Sequence, residues 1–214
     1  MKCTRLWAFA LVFALSWVGV AQAVDEGIDY RRLSPAQPTD VPAGHVEVIE
    51  LFWYGCPHCD TLEPKLQRWK ADLPEDVTFR AVPAVLNPNW VLHAQAYYTA
   101  EVLGVLDRIH QPMYDAIHRE RRALNSREAL RNFFAEHGVE PAQFDQTFNS
   151  FAVQTRVRRA DALGRRYGAT SVPSMVVNGK YYTDGAMAGG QDRMLEVVNA
   201  LVEQERAQAR AAQQ

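Results

Sequence analysis

The chain carries two cysteines in the segment Phe52-Trp53-Tyr54-Gly55-Cys56-Pro57-His58-Cys59. The residues that lead into it, Val46 to Trp53, are mostly β-branched and aromatic, which predicts a buried β-strand. Pro57 stands where a helix can begin, because the missing N–H of proline costs nothing in a first helical turn. Apolar residues then recur at helical spacing from Cys59 to Trp69. The segment therefore predicts a strand, a short turn and a helix, with the two cysteines at the helix start.

The spacing Cys56-Pro57-His58-Cys59 allows the two sulfur atoms to close a small disulfide ring. The free N–H groups and the positive dipole end of the helix favour a thiolate at the first sulfur. His58 can add positive charge or a hydrogen bond to that thiolate. A stabilised thiolate makes the disulfide easier to reduce and makes Cys56 a good leaving group. The pattern therefore indicates disulfide exchange, with Cys56 as the exposed sulfur and Cys59 as the buried one.

Two other uses of a cysteine pair have to be weighed. An inert structural disulfide is disfavoured, because so short a ring restricts little of the unfolded chain. A zinc site needs about four ligands, and this motif supplies two. The remaining candidate ligands are scattered without a second pair at zinc spacing, namely His45, His93, His110, His118 and His137. We therefore expect no metal and no cofactor.

Residues 1–23 have the pattern of a secretory signal peptide. Two basic residues precede an apolar run from Leu6 to Ala21, and Ala21-Gln22-Ala23 offers a cleavage site. An uncleaved anchor is the alternative, but the run is shorter than the roughly 20 residues that span a bilayer. Cleavage removes Cys3 and two positive charges, which leaves one cysteine pair and changes the formal charge from −2 to −4. We therefore expect export to the periplasm, where disulfides persist.

The composition excludes two broad classes of protein. Hydrophobic residues make up 48% and charged residues 22% of the 214 residues, which is typical of a globular chain and not of a disordered one. The formal net charge of −2 offers no surplus of Lys or Arg to neutralise phosphates, so no nucleic-acid partner is expected.

The mature chain reads as one α/β domain that is interrupted by helices. Residues 24–45 contain three prolines and predict a mostly irregular lead-in. Helical periodicity runs from about Asn87 to Gly168. Asn178-Gly179 then stands between two short runs with the period of a strand, 174–177 and 180–183, which is the strongest short hairpin signal. The predicted division is a signal peptide at 1–23, a first α/β part at 24–86, an all-helical insertion at 87–168 and a second α/β part at 169–214.

The segment from Phe52 to Cys59 resembles the active site of the DsbA family, exported thiol:disulfide oxidoreductases of the thioredoxin superfamily. Three further features agree with this resemblance along the mature chain. The helical block lies where the family inserts its helical domain, Val172-Pro173 lies where the fold carries a cis-proline, and Pro64 matches a proline that kinks the first helix. The resemblance implies an α/β thioredoxin fold with an inserted all-helical domain.

The resemblance also implies roles for individual residues. Cys56 would be the nucleophile that forms mixed disulfides, and Cys59 the resolving cysteine, while Pro57 and His58 would tune the redox potential. Val172-Pro173 would form a cis peptide beside Cys56, and the Val172 backbone would pair with an extended substrate segment. Without the resemblance a trans bond is the default, because cis bonds are about 5–6% of X–Pro bonds.

Glu50 is an acid inside the apolar strand. A buried carboxylate there costs free energy unless it is paired or protonated. The resemblance places an acid at this position beneath the resolving cysteine, where it helps to move the proton of that thiol. A solvated acid on an edge strand is the alternative. Val77, Phe79 and Ala81 alternate with polar residues, which predicts a second strand. Arg80, on that strand, is a candidate basic partner for Glu50.

The function expected from the sequence is an oxidase that donates its Cys56–Cys59 disulfide to newly exported, unfolded proteins. A DsbB-like, quinone-linked membrane protein would reoxidise it, and the chain would act as a monomer. One alternative is a disulfide reductase or isomerase, although no dimerisation domain is visible. Another alternative is a periplasmic peptide-binding chaperone with an incidental disulfide.

Overall fold

The computed structural model describes residues 24–212. The predicted signal peptide, with its Cys3, lies outside the described residues. Within them, no helix is both long enough and apolar enough to cross a membrane.

A five-stranded sheet forms the centre of the α/β part. Its strands lie in the order β1-β5-β4-β2-β3. Their bounds are Arg31–Arg32 for β1, Val46–Phe52 for β2, Val77–Pro83 for β3, Ser174–Val177 for β4 and Tyr181–Asp184 for β5. Strands β2 and β3 run parallel, whereas every other neighbouring pair is antiparallel.

Strand β2 is buried along its whole length because it has a neighbouring strand on each edge and helices on both faces. Its side chains alternate between the faces. Val46 and Val48 pack in one hydrophobic cluster with the two helices described next, and Ile49 and Leu51 pack in a second cluster with the helical insertion. Both clusters meet on this strand, which fixes where its carboxyl end places the cysteines.

Helix α1 spans Pro57–Ala71 and makes the crossover between β2 and β3, as a parallel pair requires. Helix α7 spans Gln191–Ala211 and packs on the same face of the sheet. Between β3 and β4 lie the inserted helices α2 (Val91–Val102), α3 (Leu106–Tyr114), α4 (Arg127–Glu136), α5 (Pro141–Phe148) and α6 (Phe151–Arg166). The prediction of an α/β fold with a helical insertion is confirmed.

The lead-in contains one element that the sequence analysis did not predict. Arg31–Arg32 form the short strand β1, which pairs with β5 at the edge of the sheet. The Arg31 guanidinium lies 4.1 Å from the centre of the Tyr182 ring and also donates to backbone carbonyls at the end of α6. A two-residue strand is too short to show periodicity, so only the tertiary contacts reveal it.

Candidate active site

The two cysteines lie where β2 gives way to α1. Cys56 is the N-cap residue of α1 and has extended backbone angles, φ −90° and ψ 116°. Its N–H donates to the Trp53 carbonyl at 2.9 Å, which closes the turn after the strand. No side chain caps the helix, so the first N–H groups of α1 are free to face the Cys56 sulfur. The strand end and the helix start therefore meet at this sulfur.

The sulfur of Cys56 is less accessible than expected. Cys56 is 8% exposed and Cys59 is fully buried, so the predicted order of the two is right, but the description of Cys56 as exposed is not. The loop that carries Val172 lies against it, and the Cys56 thiol can donate to the Val172 carbonyl at 3.4 Å. The Val172 backbone therefore lies directly beside the Cys56 sulfur.

The two thiols differ strongly in acidity. The pKa of Cys56 is lowered from 9.0 to about 6, chiefly because the Cys59 thiol donates a hydrogen bond to its thiolate. Desolvation opposes this change, while the N–H groups of Cys59 and His58 and the charge of His58 add to it. The pKa of Cys59 is raised far above its ordinary range, mainly because the thiol is buried. At neutral pH the reduced pair is therefore a Cys56 thiolate beside a Cys59 thiol.

Pro57 and His58 are exposed at the start of α1, on the open side of the pair. The Gln191 side chain, at the start of α7, donates to the His58 carbonyl at 2.6 Å. This contact joins the motif to a helix that lies more than 130 residues away in the chain. His58 is thus held close to Cys56 while its ring remains in solvent.

The Val172–Pro173 peptide bond is cis, as predicted. A cavity of about 470 Å³ opens beside it and beside His58, and we call it the active-site groove. The groove is lined by His58, Thr61, Ser171, Val172, Pro173, Gly185, Ala186, Gly190 and Gln191. It is large enough for a few side chains of an extended peptide.

Glu50 is 1% exposed, so the alternative of a solvated edge-strand acid is wrong. Its Oε1 atom is buried and accepts no hydrogen bond from any described residue. Burial is the main cause that raises the pKa of this carboxyl well above its usual value, and the charge of Glu63 adds to it. Lys70 acts in the opposite direction. Burial therefore favours the protonated form of Glu50, which suits an acid that gives a proton to a buried thiolate.

Arg80 is not the partner of Glu50, and that prediction was wrong. Arg80 stands opposite Ile49 in the register of β2 and β3, so it shares a face with the odd-numbered residues of β2. There it binds Glu47 at 3.1 Å and Asp40 at 3.5 Å. The pleat directs Glu50 to the opposite face, where Lys70 is the cation that influences its pKa.

Sequence reasoning missed another buried acid close to the cysteines, Glu63, and its partners. Glu63 is 1% exposed and has its Oε2 atom 3.5 Å from His110 Nε2. The other ring nitrogen of His110 lies 2.8 Å from the Tyr54 hydroxyl. One signal was present: Glu63 follows Cys59 by four residues, so both lie on one face of α1. His110 gave no signal, because its partner is distant in the sequence.

No group of three or more His, Cys, Asp or Glu between residues 24 and 212 is arranged to hold a metal ion.

Comparison with known proteins identifies the family of this chain. The family described as the DSBA-like thioredoxin domain matches residues 47–202. The chain is 41% identical over 209 residues to the thiol:disulfide interchange protein DsbA of Pseudomonas aeruginosa, covering 97% of both proteins. It is 43% identical over 193 residues to that of Azotobacter vinelandii, covering 84% of this chain and 90% of the relative.

Solved structures extend the agreement to the fold. A crystal structure of Pseudomonas aeruginosa DsbA superposes with a TM-score of 0.81 at 42% identity, over 86% of this chain and 95% of that one. DsbA from Xylella fastidiosa superposes with a TM-score of 0.80 at 37% identity, over 86% and 98% respectively. This chain therefore belongs to the DSBA-like thioredoxin domain family and is a thiol:disulfide oxidoreductase.

Proposed function

We propose that this protein is an oxidase that gives its Cys56–Cys59 disulfide to reduced, newly exported proteins. The acidity of Cys56 carries this proposal. A thiol whose pKa is lowered to about 6 is mostly ionised at neutral pH. This stabilises the reduced form of the pair and weakens the disulfide, so electrons flow from client thiols to the protein.

The exchange then runs in two steps. A client thiolate attacks the Cys56 sulfur, a mixed disulfide forms, and the Cys59 sulfur leaves. A second client thiolate attacks its own chain's sulfur in the mixed disulfide, and Cys56 leaves as a thiolate. The client dithiol is oxidised to a disulfide and the cysteine pair is reduced. Glu50 supplies the proton that Cys59 takes up, while Pro57 and His58 keep Cys56 acidic.

The active-site groove supports binding of clients in an extended form. The Val172 carbonyl lies 3.4 Å from the Cys56 sulfur, so a strand that pairs with the Val172 backbone would carry its own cysteine to Cys56. The cis Pro173 follows directly and forms part of the groove wall. Recognition through backbone atoms and an apolar wall suits many unrelated unfolded clients.

The compartment and the reoxidising partner belong to the same proposal. The signal-peptide pattern at 1–23 supports export to the periplasm. Continued turnover requires an electron acceptor, which we take to be a DsbB-like, quinone-linked membrane protein. We further propose that the protein acts as a monomer.

Two cysteine variants test the exchange chemistry. The full chain is expressed with its N-terminal segment, and mixed disulfides are identified by mass spectrometry in Cys59→Ser and Cys56→Ser. Cys59→Ser should trap clients through Cys56, because the resolving thiol is missing. Cys56→Ser is the matched control and should trap none. Failure of Cys59→Ser to trap any client would refute the proposal.

Equilibration with glutathione separates an oxidase from a reductase. We expect the reduced form to dominate in a glutathione buffer that leaves a reductase of this superfamily oxidised. A potential as low as that of thioredoxin would favour the reductase. Strong activity in refolding of a scrambled-disulfide protein would favour the isomerase. A chaperone with an incidental disulfide would keep its function in Cys56→Ser.

A further inference from the structure

Glu50 must gain and lose a proton in every cycle of the proposed oxidase reaction, on which this inference rests. When a client dithiol is oxidised, two protons leave the client thiols and two electrons reduce the Cys56–Cys59 disulfide. Cys59 ends as a thiol and Cys56 as a thiolate, so one of the two protons remains in solvent. Glu50 is 1% exposed, so bulk solvent does not replace directly the proton that it gives to Cys59.

Glu63 is the next ionisable group along that path. It lies one helical turn after Cys59 on α1, a spacing that places Cβ atoms about 5–6 Å apart. Its charge acts on Glu50 more strongly than that of any other residue. Burial works against ionisation of Glu63, but hydrogen bonds from His110 and Gln67 outweigh it, so its pKa is lowered. An ionised Glu63 can therefore accept a proton at one end of the path and return it at the other.

His110 joins Glu63 to the outside. Its Nε2 atom lies 3.5 Å from Glu63 Oε2, and its Nδ1 atom lies 2.8 Å from the Tyr54 hydroxyl. The pKa of Tyr54 is raised well above 10 by burial, so this hydroxyl keeps its proton and can donate to Nδ1. The hydrogen bond orients the ring with Nε2 towards Glu63. Aromatic rings also surround the imidazole with centroids 5.3–5.9 Å away, namely Phe52, Tyr54, Tyr97 and Tyr114.

The exposed fraction of the side chains increases along this path. Glu63 is 2% exposed at its side chain and His110 is 13% exposed. His110 also lines an open cleft of about 530 Å³ between α1, β3, α2 and α3, which shares no lining residue with the active-site groove. Lys70, Asp107 and Gln111 line the same cleft. Water in the cleft can reach the imidazole without passing the sulfur atoms.

We propose that His110 exchanges protons between this cleft and the buried acids Glu63 and Glu50, and so supplies the proton that Cys59 takes up. In this role His110 gives its Nε2 proton to Glu63 and takes a replacement proton from water in the cleft, because either ring nitrogen can carry or accept a proton. The charged and titratable groups that face the path are Glu50 from β2, Tyr54 from the turn after it, Lys70 from α1, Arg80 from β3, Tyr97 and Glu101 from α2, and Asp107 and Tyr114 from α3.

His110→Ala tests the proposal through chemical rescue. The assay is a single-turnover reaction of the oxidised protein with a reduced dithiol peptide at pH 7, followed by tryptophan fluorescence. The rate in His110→Ala should fall by roughly tenfold or more, while the glutathione equilibrium changes less than about twofold, because His110 is absent from the causes that set the acidity of Cys56. Added imidazole should enter the cleft and restore the rate. His137→Ala is the matched control, since His137 contacts the Phe133 carbonyl in α4 and should neither slow nor respond to imidazole.

The rates of the His110 variants either support or overturn the proposal. An unchanged rate in His110→Ala, or a slow rate that imidazole does not raise, overturns the proposal. His110→Gln keeps a polar group beside Tyr54 and covers the case in which the alanine variant does not fold. It should be slow and unresponsive to imidazole, and a rate equal to that of the unmodified protein would overturn the proposal. If the unmodified protein itself fails to oxidise the peptide, the oxidase function is refuted instead.

Discussion

The acidity of Cys56 predicts how the stability of the reduced protein depends on pH. A thiol with a lowered pKa in the folded state binds its proton more weakly there than in the unfolded chain. Its contribution to stability is therefore complete above the unfolded pKa of 9.0 and is lost as the pH falls through about 6. The reduced protein should become less stable between pH 8 and pH 5.

The size of this change follows from the two pKa values. Between pH 8 and pH 5, a thiol with pKa values of about 6 folded and 9.0 unfolded loses about 2.6 kcal/mol of stabilisation. Cys59 adds little over this range, because its pKa is raised and its thiol stays protonated in both states. The oxidised protein has no free thiol and lacks this contribution.

Urea unfolding of the reduced and oxidised forms between pH 5 and pH 8 measures the contribution of the Cys56 thiolate to stability. The stability difference, reduced minus oxidised, should increase by about 2.6 kcal/mol, or roughly 1 M in the urea midpoint. Taking the difference removes the groups that titrate alike in both forms. Cys56→Ser cannot form the disulfide, and its stability should change with pH as that of the oxidised protein does. A difference that stays constant within about 0.5 kcal/mol would refute the assignment of a thiolate at Cys56.

Three further changes test other parts of the structure. Gly179→Ala should lower the free energy of unfolding, measured by thermal unfolding, by roughly 2–4 kcal/mol. The reason is that φ is +61° and the new Cβ would lie 2.1 Å from a backbone carbonyl oxygen of the lead-in. Gly185→Ala is the control, since nothing lies close to its new Cβ, and it should change the free energy of unfolding by less than about 0.5 kcal/mol. Arg80→Gln should lower the free energy of unfolding in urea by roughly 1–3 kcal/mol, because it leaves the buried Glu47 without its cation. The single-turnover rate should stay unchanged. A slower rate would show that Arg80 takes part in the reaction. Glu50→Gln should raise the free energy of unfolding at pH 7 by roughly 1–3 kcal/mol, because folding no longer has to bury a carboxyl group that is ionised in the unfolded chain. It should also slow the single turnover by about tenfold or more. A rate equal to that of the unmodified protein would exclude Glu50 as the proton donor.

The local parts of the site could be read from the sequence because each depends on neighbours in the chain. A β-branched run predicted β2, Pro57 marked the start of α1, and Asn178-Gly179 marked the turn between β4 and β5. The cis bond before Pro173 was expected from the resemblance, and the structure contains it. Hydrophobic periodicity and turn chemistry depend on a few consecutive residues, which explains why these strands, helix starts and turns can be predicted from the sequence.

The sequence by itself determined a strand–helix junction with two cysteines, a helical insertion and a disulfide-exchange chemistry. Tertiary structure alone decided which charges meet. The register of β2 with β3 sends Arg80 to Glu47 and away from Glu50, and the packing of α3 against the strand end brings His110 to Tyr54 and Glu63. The pKa and the partners of a buried charged group depend on the groups that lie 3–4 Å away in space. Those groups come from segments that lie tens of residues apart in the chain.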